Sequence, residues 1–391
     1  MRIEHRIVVL GAGYTGMMCA IRLARRTRRG GAAITVVNPS DRFTERLRMH
    51  QVAAAQELAV HRIPDLLAGT GITFLRGRAV AIDPERREVA IDGSRSIAYD
   101  TLVYALGSSA DTRAVPGADR HAYTLDDPRT AGRFATRLGE LAATGGAVTV
   151  CGAGLTGVEA AAEIAESHPG LRVTLIGRHE PGAMMGAKGR AYLHRSLERL
   201  GVTLRVGAAI TKVLPDAVEL AGGESVPSDA CLWTTGVRVS PLAAEAGIAV
   251  DEHGLIVVDA TLRSRSHPEI HAIGDAAAVH QAWGRIHGTC QSGMPTAAHT
   301  ADVIARQLRG KAGKPFRFGY VHQPVSLGRH DAVIQFTHAD DTPRRWCLTG
   351  KRAVAYKEMV SGSPLKAYRL SKRVTVGMSL SKGGRATRKA A

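Results

Sequence analysis

Two short glycine-rich segments have the residue types and spacing to hold phosphorylated ligands. GAGYTG occupies residues 11–16 and GAGLTG occupies residues 152–157. In such a segment the first glycine permits a tight turn, the second lets the backbone approach a pyrophosphate, and the third lets a helix pack closely on a strand. These positions are filled by Gly11, Gly13 and Gly16 in the first copy and by Gly152, Gly154 and Gly157 in the second. The chemistry that this spacing predicts is the binding of two dinucleotides.

The residues around each segment predict the elements that position it. An apolar run of β-branched residues precedes each glycine segment, apolar residues at helical spacing follow it, and a second apolar run comes next. This is the order of a βαβ unit, in which the helix N-terminus presents free N–H groups and a positive dipole end to phosphate. One such match is weak evidence, whereas two matches in the same context indicate a duplicated nucleotide-binding unit. The alternative is a pair of glycine-rich turns that hold no ligand.

The residue that ends the second strand of each unit should meet the adenosine ribose, where a carboxylate commonly binds the diol. Neither copy has one, because the first has Asn38 and the second has Gly177 followed by Arg178. Asn38 can still bond a hydroxyl. At the second position, the missing carboxylate and the guanidinium of Arg178 favour NADPH over NADH, since Arg can bind a 2′-phosphate. Alternatively, Arg178 is an exposed loop residue and Glu180 binds the ribose.

The composition is that of a globular protein with two or three domains. The chain has 391 residues, of which 45% are hydrophobic and 22% charged, and no apolar run is long enough to span a membrane. The N-terminal residues are too few for a signal peptide.

Five cysteines without a CxxC pair argue against a disulfide framework and favour a reducing cytoplasm. Cys151 and Cys231 each stand alone in a predicted strand and are interpreted as buried structural thiols, so a dithiol relay is not expected. No His/Cys cluster with the spacing of metal ligands occurs, so no metal is predicted.

A net charge of +17 favours anionic partners, although it also fits a solvated basic surface. Residues 364–376 (PLKAYRLSKRVTV) mix apolar and basic side chains. Three interpretations stay open for this segment: peripheral contact with the inner face of a membrane, a solvated or disordered basic tail, or contact with a protein partner. Nucleic acid is a weaker candidate, because only 4% of the residues are aromatic and a stacking platform is not evident.

Five motifs together resemble the FAD-dependent pyridine nucleotide oxidoreductases with two dinucleotide-binding domains. Besides the two glycine segments, these are YDTLVYALGS at 99–108, DACLWTTGV at 229–237 and IHAIGDAAA at 270–278, all in the family's order. Within that family, the chain is most similar to type II NADH:quinone oxidoreductases and apoptosis-inducing-factor-like proteins. The resemblance covers roughly residues 5–335.

The resemblance implies two sets of cofactor-binding residues. The set for FAD is Gly11, Gly13, Tyr14, Thr15, Gly16, Asn38, Val80, Ala105, Leu106, Gly107, Gly274 and Asp275. The set for the nicotinamide cofactor is Gly152, Gly154, Thr156, Gly157, Arg178, Thr235 and Gly236. Asp275 is also supported by its own context, since an acid directly after an apolar strand and a glycine suits a ligand hydroxyl. The alternative is that Asp275 only caps the helix that follows.

Two residues are candidates for a direct part in the chemistry. Glu159 corresponds to an acid that the family often keeps near the contact of nicotinamide and flavin; alternatively, it only stabilises the helix N-terminus. Gln291 matches a glutamine that faces the quinone in quinone-reducing relatives. The second glutamine of that pattern is not evident here, and Pro295 interrupts the segment. No acid–base triad is required, because the cofactors supply the hydride chemistry.

The sequence therefore predicts an α/β protein with two Rossmann-like domains and a small C-terminal α+β region. We expect a discontinuous FAD domain at 1–118 and 251–318, an inserted NAD(P)H domain at 119–250, and a C-terminal region at 319–391 that could form a homodimer interface. The predicted activity is hydride transfer from NADPH or NADH to FAD and on to a quinone-type small molecule, without a redox disulfide. The alternatives are reduction of an acidic ferredoxin-type protein, a flavin-dependent tailoring reaction, and a redox-sensing binding protein.

Overall fold

The first parallel sheet is formed by the N-terminal part of the chain together with one strand from much later. The computed structural model describes residues 4–28 and 31–387. Up to residue 121 the elements are β1 (His5–Leu10), α1 (Tyr14–Thr27), β2 (Ala32–Asn38), β3 (Arg42–Phe43), α2 (Met49–Ala53), β4 (His61–Arg62), α3 (Ile63–Leu67), β5 (Thr73–Arg76), β6 (Ala79–Asp83), β7 (Glu88–Ile91), β8 (Arg95–Ala98), β9 (Thr101–Tyr104), β10 (Ser108–Ala110) and α4 (Ala118–His121). Strands β5, β2, β1 and β9 lie side by side in that order. The last four residues of β1 are buried, as expected for a parallel strand covered on both faces.

The second parallel sheet repeats the first. From residue 122 to 245 the elements are β11 (Ala122–Tyr123), α5 (Pro128–Ala142), β12 (Ala147–Cys151), α6 (Leu155–Ser167), β13 (Arg172–Gly177), α7 (Ala187–Arg199), β14 (Thr203–Val206), β15 (Ile210–Val213), β16 (Ala217–Leu220), β17 (Ser225–Pro227), β18 (Ala230–Trp233), β19 (Val237–Val239) and α8 (Leu242–Glu245). Its strand order is β14-β13-β12-β18-β11. Each sheet is accompanied by a three-stranded antiparallel meander, β6-β7-β8 in the first unit and β15-β16-β17 in the second.

After the second unit the chain returns to the first sheet. The remaining elements are β20 (Ile256–Val257), β21 (Ile270–Ala272), β22 (Ala277–Ala278), β23 (His280–Gln281), β24 (Gly284–Arg285), α9 (Cys290–Gln307), β25 (His322–Ser326), β26 (Ala332–Thr337), β27 (Pro343–Thr349) and α10 (Gly350–Ser371). Strand β21 pairs in parallel with β9, and α9 packs on α1. The expected class, two Rossmann-like units in a mixed α/β fold, is confirmed. The predicted domain boundaries stay a prediction.

The C-terminal helix α10 packs against the first unit. Tyr368 is fully buried, and its hydroxyl donates to the Tyr14 carbonyl at 2.9 Å. Beyond the helix, Arg25 binds the Arg373 carbonyl and Arg22 binds the Val376 carbonyl. Residues 364–376 are therefore not a disordered tail, because this segment is anchored to α1, although basic side chains such as Lys366 and Arg369 are exposed to solvent. Within the described ranges, no helix has the length and apolar character needed to cross a membrane.

Candidate cofactor and active site

The first glycine loop is shaped to bring backbone close to a ligand. Gly11 has a φ of +97° and lies so close to the Ala105 carbonyl that a side chain would overlap it. Gly16 lies equally close to the carbonyl of Gly11, which lets α1 start directly at the end of β1. At Gly13, by contrast, an added Cβ would meet nothing within 4 Å. The loop is thus tight against the protein on one side and open at the N-terminus of α1, where a phosphate would lie.

The predicted ribose residue Asn38 has its amide engaged within this loop. Its Oδ1 accepts from the Ala12 N–H at 3.0 Å, and its Nδ2 donates to the Ser40 carbonyl at 2.8 Å. The side chain therefore braces the glycine loop against the end of β2. Val80 of the adjacent meander is partly exposed. The hydroxyl of Tyr14 is buried without a hydrogen-bond partner, and burial raises its pKa far above the usual range.

The aspartate motif meets the first glycine loop. Gly274, with a φ of +66°, lies against the side chain of Thr15. Asp275 accepts a hydrogen bond from the Ser108 hydroxyl at 2.7 Å. Ser108 directly follows Gly107, whose φ is +65° and whose Cα faces open space. After the short 3₁₀ turn at Gly274–Ala276 the chain enters β22, so Asp275 is not followed by an α-helix that it could cap. The alternative that Asp275 serves only as a helix cap is therefore wrong.

The second glycine loop has the same shape. Gly152, with a φ of +119°, lies against Thr235 and its neighbour Thr234. Gly157 packs on the Gly152 carbonyl, whereas Gly154 at the start of α6 is open. Thr156 lies in the first turn of α6, and its side chain is exposed. Arg178 is exposed directly after β13.

The two units face each other at the carboxyl ends of their sheets. The chain leaves β9 through residues 105–107 and enters β10, and it leaves β18 through residues 234–236 and enters β19. Strands β10 and β19 pair with each other, Ser108 opposite Val239. The Asp111 N–H donates to the Gly236 carbonyl at 3.2 Å. This pairing joins the segments that leave the carboxyl ends of the two sheets, the ends at which the glycine loops also lie.

Glu159 lies in a buried ion pair that the sequence did not reveal. Its Oε1 lies 2.6 Å from the Nζ of Lys357, on α10, and accepts from the Ser326 N–H at 3.0 Å. Burial by itself would raise the pKa of Glu159, but the positive charge of Lys357 and the proximity of His50 hold it below its usual value. Lys357 also donates to the Pro324 carbonyl at 3.0 Å. Glu159 is thus a charged group tied to the C-terminal region, rather than only an acid at a helix N-terminus.

Two further titratable groups lie beside this pair. Glu163, one turn along α6 from Glu159, is completely buried, and burial raises its pKa to about 7. Its Oε1 is bonded by Gln56. Its Oε2 lies 4.0 Å from the Nε2 of His50, and neither atom has a hydrogen-bond partner among the described residues. Burial lowers the pKa of His50 to about 4.

Gln291 is the second residue of α9, and both the nitrogen and the oxygen of its side-chain amide form hydrogen bonds. Its Nε2 donates to the His322 carbonyl at 2.8 Å, and its Oε1 accepts from the Val321 N–H at 2.9 Å. The residue thus fastens α9 to the start of β25. The neighbouring thiol of Cys290 has its pKa raised to about 12, first by burial and then by the charge of Asp275, while Lys357 opposes the shift. Lys357 is therefore close enough to act electrostatically on groups of both units.

The two cysteines of the second sheet lie together. The Sγ atoms of Cys151 and Cys231 are 3.5 Å apart, and both residues are buried free thiols. The interpretation as buried thiols is confirmed. The two lie close together because β12 and β18 are neighbours in the sheet and pair Thr149 with Cys231. The sequence carries a signal of this proximity, because each cysteine lies in an apolar strand that leads into a glycine.

These features define a dinucleotide-binding protein with two nucleotide loops, each at the carboxyl end of its own parallel sheet. Comparison with known proteins gives the family. Residues 5–302 match the family described as pyridine nucleotide-disulphide oxidoreductase, and the chain belongs to it.

Relatives and solved structures agree with this assignment. An NADH dehydrogenase-like protein of Mycobacterium tuberculosis is 30% identical and the match covers 84% of this chain and 87% of that protein. A demethylphylloquinone reductase of Synechocystis is 28% identical, with 84% of this chain and 86% of that protein covered. Among solved structures, NDH2 from Plasmodium falciparum in complex with NADH superimposes with a TM-score of 0.80 at 13% identity, covering 96% of this chain and 99% of that one. At this identity the structural likeness concerns the fold.

Proposed function

We propose that this protein oxidises NADH or NADPH through a bound FAD and passes the electrons to a quinone-type acceptor. The observation that carries the proposal is the pairing of β10 with β19, which joins the two units at the carboxyl ends of their sheets. Hydride transfer requires that the two cofactors touch. The relative named demethylphylloquinone reductase supports a quinone as the acceptor.

The residues present fit FAD at the first loop and a nicotinamide dinucleotide at the second. Gly13 and Gly154 each leave open space at a helix N-terminus, which is where a pyrophosphate would lie. Asp275, held by Ser108 beside the first loop, would accept hydrogen bonds from ribityl hydroxyls. Gly107 and Gly236 would let backbone pass close to the cofactor rings. FAD would supply the capacity to take up a hydride and release electrons.

The protein's own groups would orient the cofactors and set the charge around them. The two loops would bind the phosphates. The paired strands β10 and β19, which follow Gly107 and Gly236, fix the position of one unit against the other. The Glu159–Lys357 pair links the helix of the second loop to α10. We propose that it sets the electrostatic environment where the cofactors meet. Gln291 would act indirectly, by fixing α9 against β25, rather than through contact with the acceptor.

We propose that Arg178 gives a preference for NADPH. It is exposed at the end of β13, and no carboxylate occupies the preceding position, which is Gly177. An Arg178→Ala variant is expected to raise the KM for NADPH about tenfold and to leave the KM for NADH almost unchanged, because only NADPH carries the 2′-phosphate. Arg190→Ala on α7 is a matched control, since Arg190 is also partly exposed but pairs with Glu180. Equal changes for both nucleotides would contradict the assignment.

A peripheral membrane contact is proposed for the surface around the end of α10. Leu370 and Val374 are exposed apolar residues there. They lie among the basic residues Lys366, Arg369 and Arg373. Exposed apolar and cationic side chains side by side suit an anionic lipid surface. Binding of an acidic electron-transfer protein and formation of a homodimer stay predictions.

Steady-state turnover with different acceptors tests the proposed function. The purified protein should oxidise NADPH or NADH rapidly when a short-chain quinone is supplied, and more slowly with ferredoxin or oxygen. Faster turnover with ferredoxin at low salt, lost as salt is added, would replace the quinone with an acidic protein acceptor. Oxygen consumption that exceeds quinone reduction would favour an oxidase.

A further inference from the structure

A group of buried titratable side chains lies beside the Glu159–Lys357 pair and has no part in the function described so far. His50 on α2 is 3% exposed and Glu163 on α6 is 0% exposed. Their atoms His50 Nε2 and Glu163 Oε2 face each other at 4.0 Å, and in the part of the chain that the structure describes neither has a hydrogen-bond partner. Leaving two such atoms unsatisfied in the interior costs free energy. A shift of about 1 Å would join them in a hydrogen bond.

Glu163 lies between two other acids of α6, one of them partly exposed and the other nearer the second glycine loop. Glu166, three residues further along α6, is half-buried and accepts from the Arg329 N–H. Glu159, four residues earlier, lies near His50, and each affects the pKa of the other. The buried carboxyl therefore lies between a partly exposed acid and the ion pair at the second loop.

The charged groups that act on the two residues come from α6 itself, α10, the segment before α2 and the loop between β25 and β26. Glu163 is close to Glu159 and Glu166 of its own helix, and Arg329 lies 3.9 Å from its Oε1. His50 is near Arg48, Arg329 and Lys357, besides Glu159. Glu358 of α10 is bound by Arg48 and Arg329 at 2.7 and 3.1 Å. The cations favour the Glu163 carboxylate and the anions oppose it, while complete burial favours the neutral carboxyl.

We propose that Glu163 and His50 form a proton relay that delivers the solvent-derived proton needed when the acceptor is reduced. The inference rests on the proposed function. A quinone becomes a quinol by gaining two electrons and two protons. NAD(P)H supplies both electrons and one proton as a hydride, so a second proton must come from water. In the relay, the O–H bond of the Glu163 carboxyl breaks and an N–H bond forms at His50 Nε2. An N–H bond of His50 then breaks as an O–H bond forms at the Glu159 carboxylate, and from Glu159 the proton passes to an oxygen of the reduced acceptor. Glu163 regains a proton from water by way of the Glu166 carboxyl.

The test is a comparison of two acceptors in the complete holoenzyme. Ferricyanide takes one electron at a time and no proton, whereas a short-chain quinone needs both. Glu163→Gln keeps the acceptor of the Gln56 hydrogen bond but cannot release a proton. We expect its turnover with quinone to fall about tenfold or more near pH 6, because a positioned acid typically contributes at least that factor. Turnover with ferricyanide should stay at the wild-type value.

The pH profile separates a relay from a structural role. The wild-type quinone rate should decline as the pH rises through about 7, where the Glu163 carboxyl loses its proton. The ratio of wild type to Glu163→Gln should therefore shrink toward one near pH 9. His50→Gln should give the same acceptor-dependent loss, which keeps the test valid if one variant folds poorly. Glu198→Gln, an exposed acid on α7, is the matched control.

Three outcomes would count against the inference. If both variants reduced quinone at the wild-type rate at every pH, the relay would be overturned while the proposed function would stand. Equal losses with ferricyanide and quinone would show that the residues only support the fold. If wild-type protein reduces ferricyanide but no quinone, the proposed acceptor is wrong and the relay falls with it.

Discussion

Gly13→Asp is expected to give a folded protein without flavin, and Gly154→Asp a yellow protein that NAD(P)H cannot reduce. Both glycines have ordinary negative φ values, −74° and −69°, and an added Cβ meets nothing within 4 Å. Neither substitution should therefore strain the fold. Each places a carboxylate where a pyrophosphate would lie. Repulsion of about 4 kcal/mol, for charges about 4 Å apart at an intermediate dielectric, corresponds to roughly a thousandfold loss of affinity.

The two variants can be measured with one pair of assays. The flavin content of the purified protein reports on the first loop, and the rate of flavin reduction by NAD(P)H reports on the second. Gly139→Asp, on the exposed side of α5, controls for the added charge. If Gly13→Asp retained flavin and Gly154→Asp lost it, the assignment of the two loops would be reversed. Normal flavin content and normal reduction in both would contradict dinucleotide binding at these loops.

Lys357→Met is expected to destabilise the protein by about 3–5 kcal/mol. Removing one member of a buried ion pair leaves the other charge uncompensated, which costs far more than the pair contributes. Here the carboxylate of Glu159 would keep only the Ser326 N–H and the more distant His50. The midpoint of urea unfolding at pH 7 measures the effect. Lys366→Met on the exposed side of α10 is the matched control and should change little.

The double variant Glu159→Gln/Lys357→Met tests whether the loss arises from the stranded charge. It should be more stable than Lys357→Met alone, because no buried charge is left. In the single variant the pKa of Glu159 should rise above its usual value, since Lys357 no longer favours the carboxylate. The deficit in stability should then be largest at high pH and diminish as the pH falls through that raised pKa. Additive effects of the two substitutions would show that the pair is not coupled.

The sequence was sufficient for the parts of the molecule that depend on local pattern. Glycine spacing, the apolar runs around it and the order of the motifs predicted two parallel-sheet units, because strand, turn and helix are contiguous in such a unit. The return of the chain to the first sheet through β21 also follows the order of the motifs. The roles assigned to single residues in these loops stay predictions.

The remaining features depend on contacts between distant segments. Lys357 reaches Glu159 because α10 packs on β25, which in turn packs on α6, and no local pattern in a basic helix indicates which of its lysines is buried. His50 meets Glu163 through the packing of α2 on α6. For Gln291 the motif identified the residue but not its contacts. Both polar atoms of its amide bind backbone, at His322 and Val321, which the local sequence does not indicate.

Anaerobic titration of the purified protein with NADPH and then NADH tests the central claim most directly. The account predicts a yellow protein whose flavin absorbance is bleached stoichiometrically, faster by NADPH than by NADH, and restored when a quinone is added. A protein that contains no flavin and takes up no added FAD would contradict the account. So would bound flavin that neither nucleotide reduces.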